Sequence, residues 1–278
     1  MTKVVRIGPD KRIHNETGFR VTLTNLRLLK EPGSRMKPPK DVSLNQKHFD
    51  VLASIRGDGC EWTAGRVPCE WAKHVGLHER IVTQLPDIKI CRANLLDFCK
   101  DVSCEVAVAA IFAWGGMKVS HGRRVSSVFV WERLIDIGSK LKSGDVCRKS
   151  AYEMLRLFRA QNRGCGLGPA YFTKLIYFLN PRHNGYIMDQ WTSLSVNLLF
   201  NRQGSPIVDL STSTYRGRRT DTVSDKNSPD SYVRFCLCIE ELARELQTQT
   251  PSEAEEWIFS KGGRYPAPWR AHVIANRP

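Results

Sequence analysis

Several things this chain does not have narrow its class. No apolar run is longer than Val106–Trp114, nine residues against the ~20 that span a bilayer. The opening MTKVVRIGPDKRIHNE holds no apolar stretch of the kind a signal peptide needs. No membrane association is therefore expected. Paired cysteines are missing too: nine cysteines, an odd number, lie scattered without one C-x-x-C pair. That pattern predicts reduced thiols and a cytoplasmic protein rather than a disulfide scaffold. Glycine and proline, 20 and 14 of 278 residues, are too few for collagen-like or low-complexity sequence. Neither a phosphate-binding P-loop nor a serine-hydrolase signature occurs, which argues against nucleotide hydrolysis and acyl transfer. His74 and His78 have helical metal-ligand spacing, but Gly76 lies between them and no third ligand is evident, so no metal site is expected.

Acidic residues are also scarce. Against 42 Lys+Arg stand only 28 Asp+Glu, leaving a formal charge of +14. Such an excess favours a polyanionic partner, most often nucleic acid. The basic residues gather in three turn-rich clusters: Arg35–Lys40, Gly122-Arg123-Arg124, and Tyr215-Arg216-Gly217-Arg218-Arg219. Each is suited to phosphate contact or, equally, to a solvated face.

Apolar periodicity predicts a mainly α fold with little β, of roughly eight to ten helices. Residues 1–46 read as an irregular N-terminal segment with a short strand at Val21–Thr24. Residues 47–145 read as a helical lobe, and 146–200 as a helix-turn-helix with its flanks. Residues 201–278 begin with a long polar loop over 201–230 and end in two amphipathic helices, Ser231–Leu246 and Pro251–Phe259, that pack back on the fold. The Ala-rich segment from Asp101 to Trp114 is apolar on every side, as a buried central helix requires.

The most informative segment is Arg156–Trp191. Gly164, Gly166 and Gly168 free the turn to take positive φ and keep side chains away from a close ligand. Pro169 suits the first position of the next helix, whose free N–H groups can hold a phosphate oxygen. Arg163 and Lys174 add attraction to a nucleic-acid backbone. Asp189, just before Gln190, is placed to cap a further helix. A capping aspartate often does nothing else. One held ionised by backbone amides is also equipped to stabilise a developing positive charge and to activate water.

The run Gly164-Cys-Gly-Leu-Gly-Pro-Ala-Tyr-Phe-Thr-Lys174, followed by Ile187-Met-Asp-Gln-Trp191, resembles the helix-hairpin-helix DNA glycosylases, in particular the bacterial branch related to 8-oxoguanine DNA glycosylase. The resemblance implies a two-lobed, mainly α fold with a basic cleft. It implies that the hairpin, Ala170 included, grips double-stranded DNA that carries a modified base. It also implies that Asp189, nineteen residues after Ala170, is catalytic, and that the turn's carbonyls hold a monovalent cation. No other cofactor is expected, and the four-cysteine iron–sulfur loop of some relatives is missing.

Bifunctional members carry a lysine where this chain has Ala170. Lys174 lies one turn later, its amine starting about 6 Å further along the axis. The expectation is therefore a monomeric, monofunctional enzyme that leaves an abasic site. The class removes oxidised guanine in repair and, in antiviral members, hypermodified cytosine from phage DNA. Extruding a base requires a pocket, for which Trp114, Met117, Phe172 and Trp191 are candidates, although each suits a helical core as well. Tyr265–Trp269 reads as a packed tail. The rival readings are a non-enzymatic hairpin protein that only binds DNA, and a glycosylase with lyase activity that uses Lys174.

Overall fold

In the computed structural model, which describes residues 41–55, 65–202, 205–215, 217–260 and 266–277, the chain is mainly helical. A short strand β1 (Val42–Leu44) precedes α1 (Gln46–Ile55). Next come α2 (Pro68–Val75), α3 (Glu79–Val82), α4 (Arg92–Asp101), α5 (Cys104–Trp114), α6 (Val119–Val125) and α7 (Val128–Lys142). The hairpin helices are α8 (Arg148–Gln161) and α9 (Pro169–Leu179), followed by α10 (Gln190–Leu199) and β2 (Phe200–Arg202). Two strands, β3 (Leu210–Tyr215) and β4 (Arg218–Val223), lead to α11 (Pro229–Leu246), α12 (Pro251–Phe259) and α13 (Pro268–Asn276).

The nine apolar residues of α5 are all buried, so this helix is the hub of one helical group. Ser103 caps its start by accepting from the Val106 amide, and Gly115 and Gly116 end it. α2, α4, α7 and α9 pack around it. A second group consists of α10, α11, α12 and α13, with α1 against α10 and α13, and α8 against α11. β1 pairs antiparallel with β2, Val42 opposite Arg202, so the segment entering α1 is tied to the end of α10. Helix α9 touches α4, α5 and α7 as well as α8, which places the hairpin where the two groups meet.

The sequence-based elements hold with three differences. Helices α2, α3 and α6 are short, which raises the count among the described residues to thirteen. Residues 210–223 are not loop: β3 and β4 form an antiparallel ribbon, with Leu210 opposite Val223 and Tyr215 opposite Arg218. Serine alternates with threonine in β3, and β4 is mostly arginine, threonine and aspartate, so neither alternates apolar with polar. β-branched threonine suits a strand, but the apolar period that signals one is missing. The tail also carries α13, anchored by Trp269, which is buried. The strand expected at Val21–Thr24, the Arg35–Lys40 cluster, Arg216 and Tyr265 lie outside the described residues. No described helix is long and apolar enough to cross a membrane.

Candidate active site

The hairpin turn needs its glycines for two distinct reasons. Gly164 and Gly166 have φ of +86° and +83°, where L side chains are strained. A Cβ on Gly166 would also lie 2.6 Å from Cγ of His121, on α6. Arg159 pins the turn from within. Its Nη1 donates to the Leu167 carbonyl at 2.6 Å, and its Nη2 pairs with Asp225 at 2.7 Å. Two carbonyls of the turn thus have donors, Leu167 from the Arg159 guanidinium and Asn162 from the Cys165 amide.

Gly168 precedes Pro169 at the first position of α9. In front of that end runs a groove of about 440 Å³, bordered by Gly166, Gly168, Ala170, Lys118 and His121, and on its far side by Ser211 and Thr222 of the ribbon. Gly116 borders this groove and also a second, deeper cavity.

That cavity, about 270 Å³, lies between the two helical groups. Gly65, Cys91, Arg92, Trp114 and Gly115 face it from the first group; Asp189, Glu255, Glu256 and Phe259 face it from the second. Lys174 and Ile187 complete the wall. Trp114 and Phe259 supply aromatic surface, and Gly65 is fitted so closely that a Cβ there would be 2.2 Å from the Trp114 carbonyl.

Asp189 caps α10. Its Oδ1 accepts from the amides of Trp191 at 2.8 Å and Thr192 at 3.1 Å, while the Thr192 hydroxyl accepts from the Asp189 amide at 3.0 Å. The carboxylate is therefore fixed through one oxygen, and Oδ2 accepts no hydrogen bond from the described residues.

Lys174 is buried, and its long side chain turns back along the helix until Nζ donates to the Ala170 carbonyl at 3.2 Å. The offset of one turn expected from its position is thus recovered by the side chain, which leans toward the helix N-terminus as helical side chains do. Burial lowers its pKa from the ordinary lysine value, and the carboxylates of Asp189 and Glu255 oppose that shift.

Opposite stands a buried ion pair absent from the sequence-based reading. Arg92 donates to both oxygens of Glu255, at 3.2 and 2.6 Å, and its Nε lies 3.3 Å from Glu256. The guanidinium stacks 4.1 Å over the Tyr177 ring. Burial is the strongest single influence and opposes its charge, but Glu255, Tyr177 and Glu256 together outweigh it and raise its pKa. Glu255 also accepts from the Ile187 amide at 3.2 Å, which ties α12 to the segment that delivers Asp189. Arg270 was likewise unforeseen. It lies 3.8 Å over the Trp191 ring and donates to the Ser260 carbonyl at 2.6 Å. Burial lowers its pKa to about 10, against the pull of Asp189.

The other expected residues separate by place. Met117 and Phe172 belong to the core: the Met117 carbonyl accepts from Nε1 of Trp71 at 2.8 Å, and Phe172 packs edge-on to Tyr152. They do not border the cavity, and Trp191 faces Arg270 rather than the cavity. Arg123, Arg124 and Arg163 are exposed, the first two fixed by bonds from Nε to the carbonyls of His74 and Ser120. Arg219 is not free: its Nε pairs with Asp221 at 3.0 Å. Arg218 opens β4.

The fold is mainly helical, with a glycine hairpin followed by an aspartate that borders a cavity, and its family is DNA-glycosylase-like. A family model described as "Putative 8-oxoguanine DNA glycosylase OGG-like protein" matches residues 53–259, and the chain belongs to that family. Searches of curated proteins and of solved structures each found no match.

Proposed function

We propose that the chain is a DNA N-glycosylase that extrudes a modified base from double-stranded DNA into the cavity and hydrolyses its N-glycosidic bond, leaving an abasic site. The observation that carries this reading is the geometry of Asp189: one oxygen held by two amides, the other uncommitted, on a residue that borders the cavity. As the bond to the base breaks, positive charge develops on the sugar. A pre-fixed carboxylate stabilises that charge and takes a proton from the attacking water, whose oxygen bonds to C1′ as the base leaves with its electron pair. Oxidised guanine is the better supported substrate. The cavity is lined by the carboxylates of Asp189, Glu255 and Glu256 and by the cations of Arg92 and Lys174, and the family's description points to oxidised guanine. A carboxylate such as Glu256, half exposed, accepts two neighbouring N–H groups of the kind guanine offers at N1 and N2.

Incubation with a panel of modified duplexes, followed by mass analysis of the released base, tests this. Release of an oxidised guanine is expected; no release from any duplex leaves only the DNA-binding reading.

A second reading rests on the position of Lys174. Its amine lies against the Ala170 carbonyl, beside the cavity, and burial favours its neutral, nucleophilic form. In that reading the amine attacks C1′ and the base departs. A Schiff base to the opened sugar follows, and β-elimination cuts the strand. Borohydride trapping distinguishes the two: a covalent adduct with DNA supports lyase activity, and its absence supports hydrolysis by water.

A further inference from the structure

The β3–β4 ribbon plays no part in the hairpin or the cavity, yet it forms the far wall of the groove between them and solvent. Across an antiparallel pair, directly opposite residues share a face and successive pairs alternate. One face carries Thr212 opposite Asp221 and Thr214 opposite Arg219. On this face Asp221 is fully buried and takes Thr212 Oγ1 at 2.6 Å, Arg219 at 3.0 Å and Arg277 at 3.3 Å, while Thr212 and Thr214 are themselves exposed. The base of the ribbon is equally fixed, with Asn197 bonding both the amide and the carbonyl of Val208, and Asn227 those of Asp209.

The opposite face carries Ser211 opposite Thr222 and Ser213 opposite Thr220, all exposed. It is a stripe of hydroxyls on a rigidly mounted ribbon, and its first pair borders the same groove as Gly166 and Gly168. Residues 210–223 contain three arginines against one aspartate.

We propose that this hydroxyl face is a second DNA-contacting element, lying along the phosphate backbone of the duplex that flanks the extruded nucleotide. The inference rests on the reading of the chain as a DNA-binding glycosylase. Hydroxyls donate to phosphate oxygens without reading sequence, which suits an enzyme that must grip any flank. The groove's continuity sets the path. From the cavity mouth at Gly116 the strand passes the hairpin glycines and then meets the ribbon.

The test uses the full chain and a labelled duplex, with affinity measured by fluorescence anisotropy over a range of salt. Thr220→Lys is expected to tighten binding and to steepen the salt dependence by about 0.9 in log–log slope, one phosphate contact. Thr220→Glu is expected to weaken binding about tenfold. Thr214→Glu, on the opposite face of the same strands, is expected to weaken binding clearly less than Thr220→Glu, because its carboxylate points away from the proposed phosphate path. An unfolded variant cannot gain affinity, so the lysine variant guards against a trivial loss. Unchanged affinity and slope in both Thr220 variants overturn the proposal, as does an equal effect at Thr214. If the parent chain binds no duplex at all, the DNA reading itself falls and takes this inference with it.

Discussion

The cavity and the groove share Gly116 but treat charge in opposite ways. In the cavity, charges are few and matched: Arg92 against Glu255 and Glu256, with Lys174 under the pull of Asp189. Around the groove and the helices beside it most are basic and open to solvent, Asp225 being held by Arg159. Lys118, Arg123, Arg124 and Arg163 form no ion pair among the described residues. Buried charge is costly to uncouple and holds a fixed geometry, which is what bond breaking requires. Exposed charge is cheap, additive and screened by salt, which is what a sequence-independent grip requires. Substitutions in the first region should alter stability and turnover; those in the second should alter affinity and its salt dependence.

The largest effect on stability is expected where the cavity's pairing is broken. Glu255→Gln leaves the buried Arg92 guanidinium with only the half-exposed Glu256 as counter-charge and should cost about 3 kcal/mol in urea unfolding. The double change Arg92→Met with Glu255→Leu should recover most of that loss. A double variant no better than the single would show that the pair's value lies elsewhere. Gly166→Ala comes next. Positive φ and the contact with His121 should together cost about 1–3 kcal/mol and weaken duplex binding. A variant of parental stability and affinity would remove the hairpin from the account.

The smallest effect concerns Lys174. Its folded pKa is lowered by burial, so below 10.5 the unfolded chain binds the proton more readily than the native one, and stability rises with pH through that window. Lys174→Met should therefore be modestly more stable than the parent at neutral pH, with the gain fading as pH approaches 10.5. A gain that grows with pH would contradict this sign. The same variant should abolish any borohydride adduct.

What could be read from the sequence was local. Three glycines, a proline and an aspartate at short spacings announce a turn, a helix start and a cap, because each residue acts on its own backbone. The all-apolar run of α5 likewise declares its burial. The Arg92–Glu255 pair joins residues 163 positions apart, and no local rule links them. Glu255 and Glu256 read as an ordinary polar stretch of an amphipathic helix; only packing shows that the first is buried. The aromatic candidates divided for the same reason. Trp114 and Phe172 look alike in sequence, yet only the first ends its helix beside the cavity. Lys174 shows how side-chain length can undo an offset counted along the backbone. The ribbon is not legible in the sequence because β3 alternates serine with threonine and β4 is mostly arginine, threonine and aspartate, with no apolar period in either.

The most direct test of the central claim compares the parent chain with Asp189→Asn on a duplex carrying oxidised guanine, under single-turnover conditions with the released base quantified. Asparagine caps a helix about as well as aspartate, so folding and duplex affinity should be retained. Loss of the negative charge should slow base release by about 10²–10³-fold. Release at the parental rate by a folded Asp189→Asn chain would contradict the account and leave Asp189 a helix cap alone.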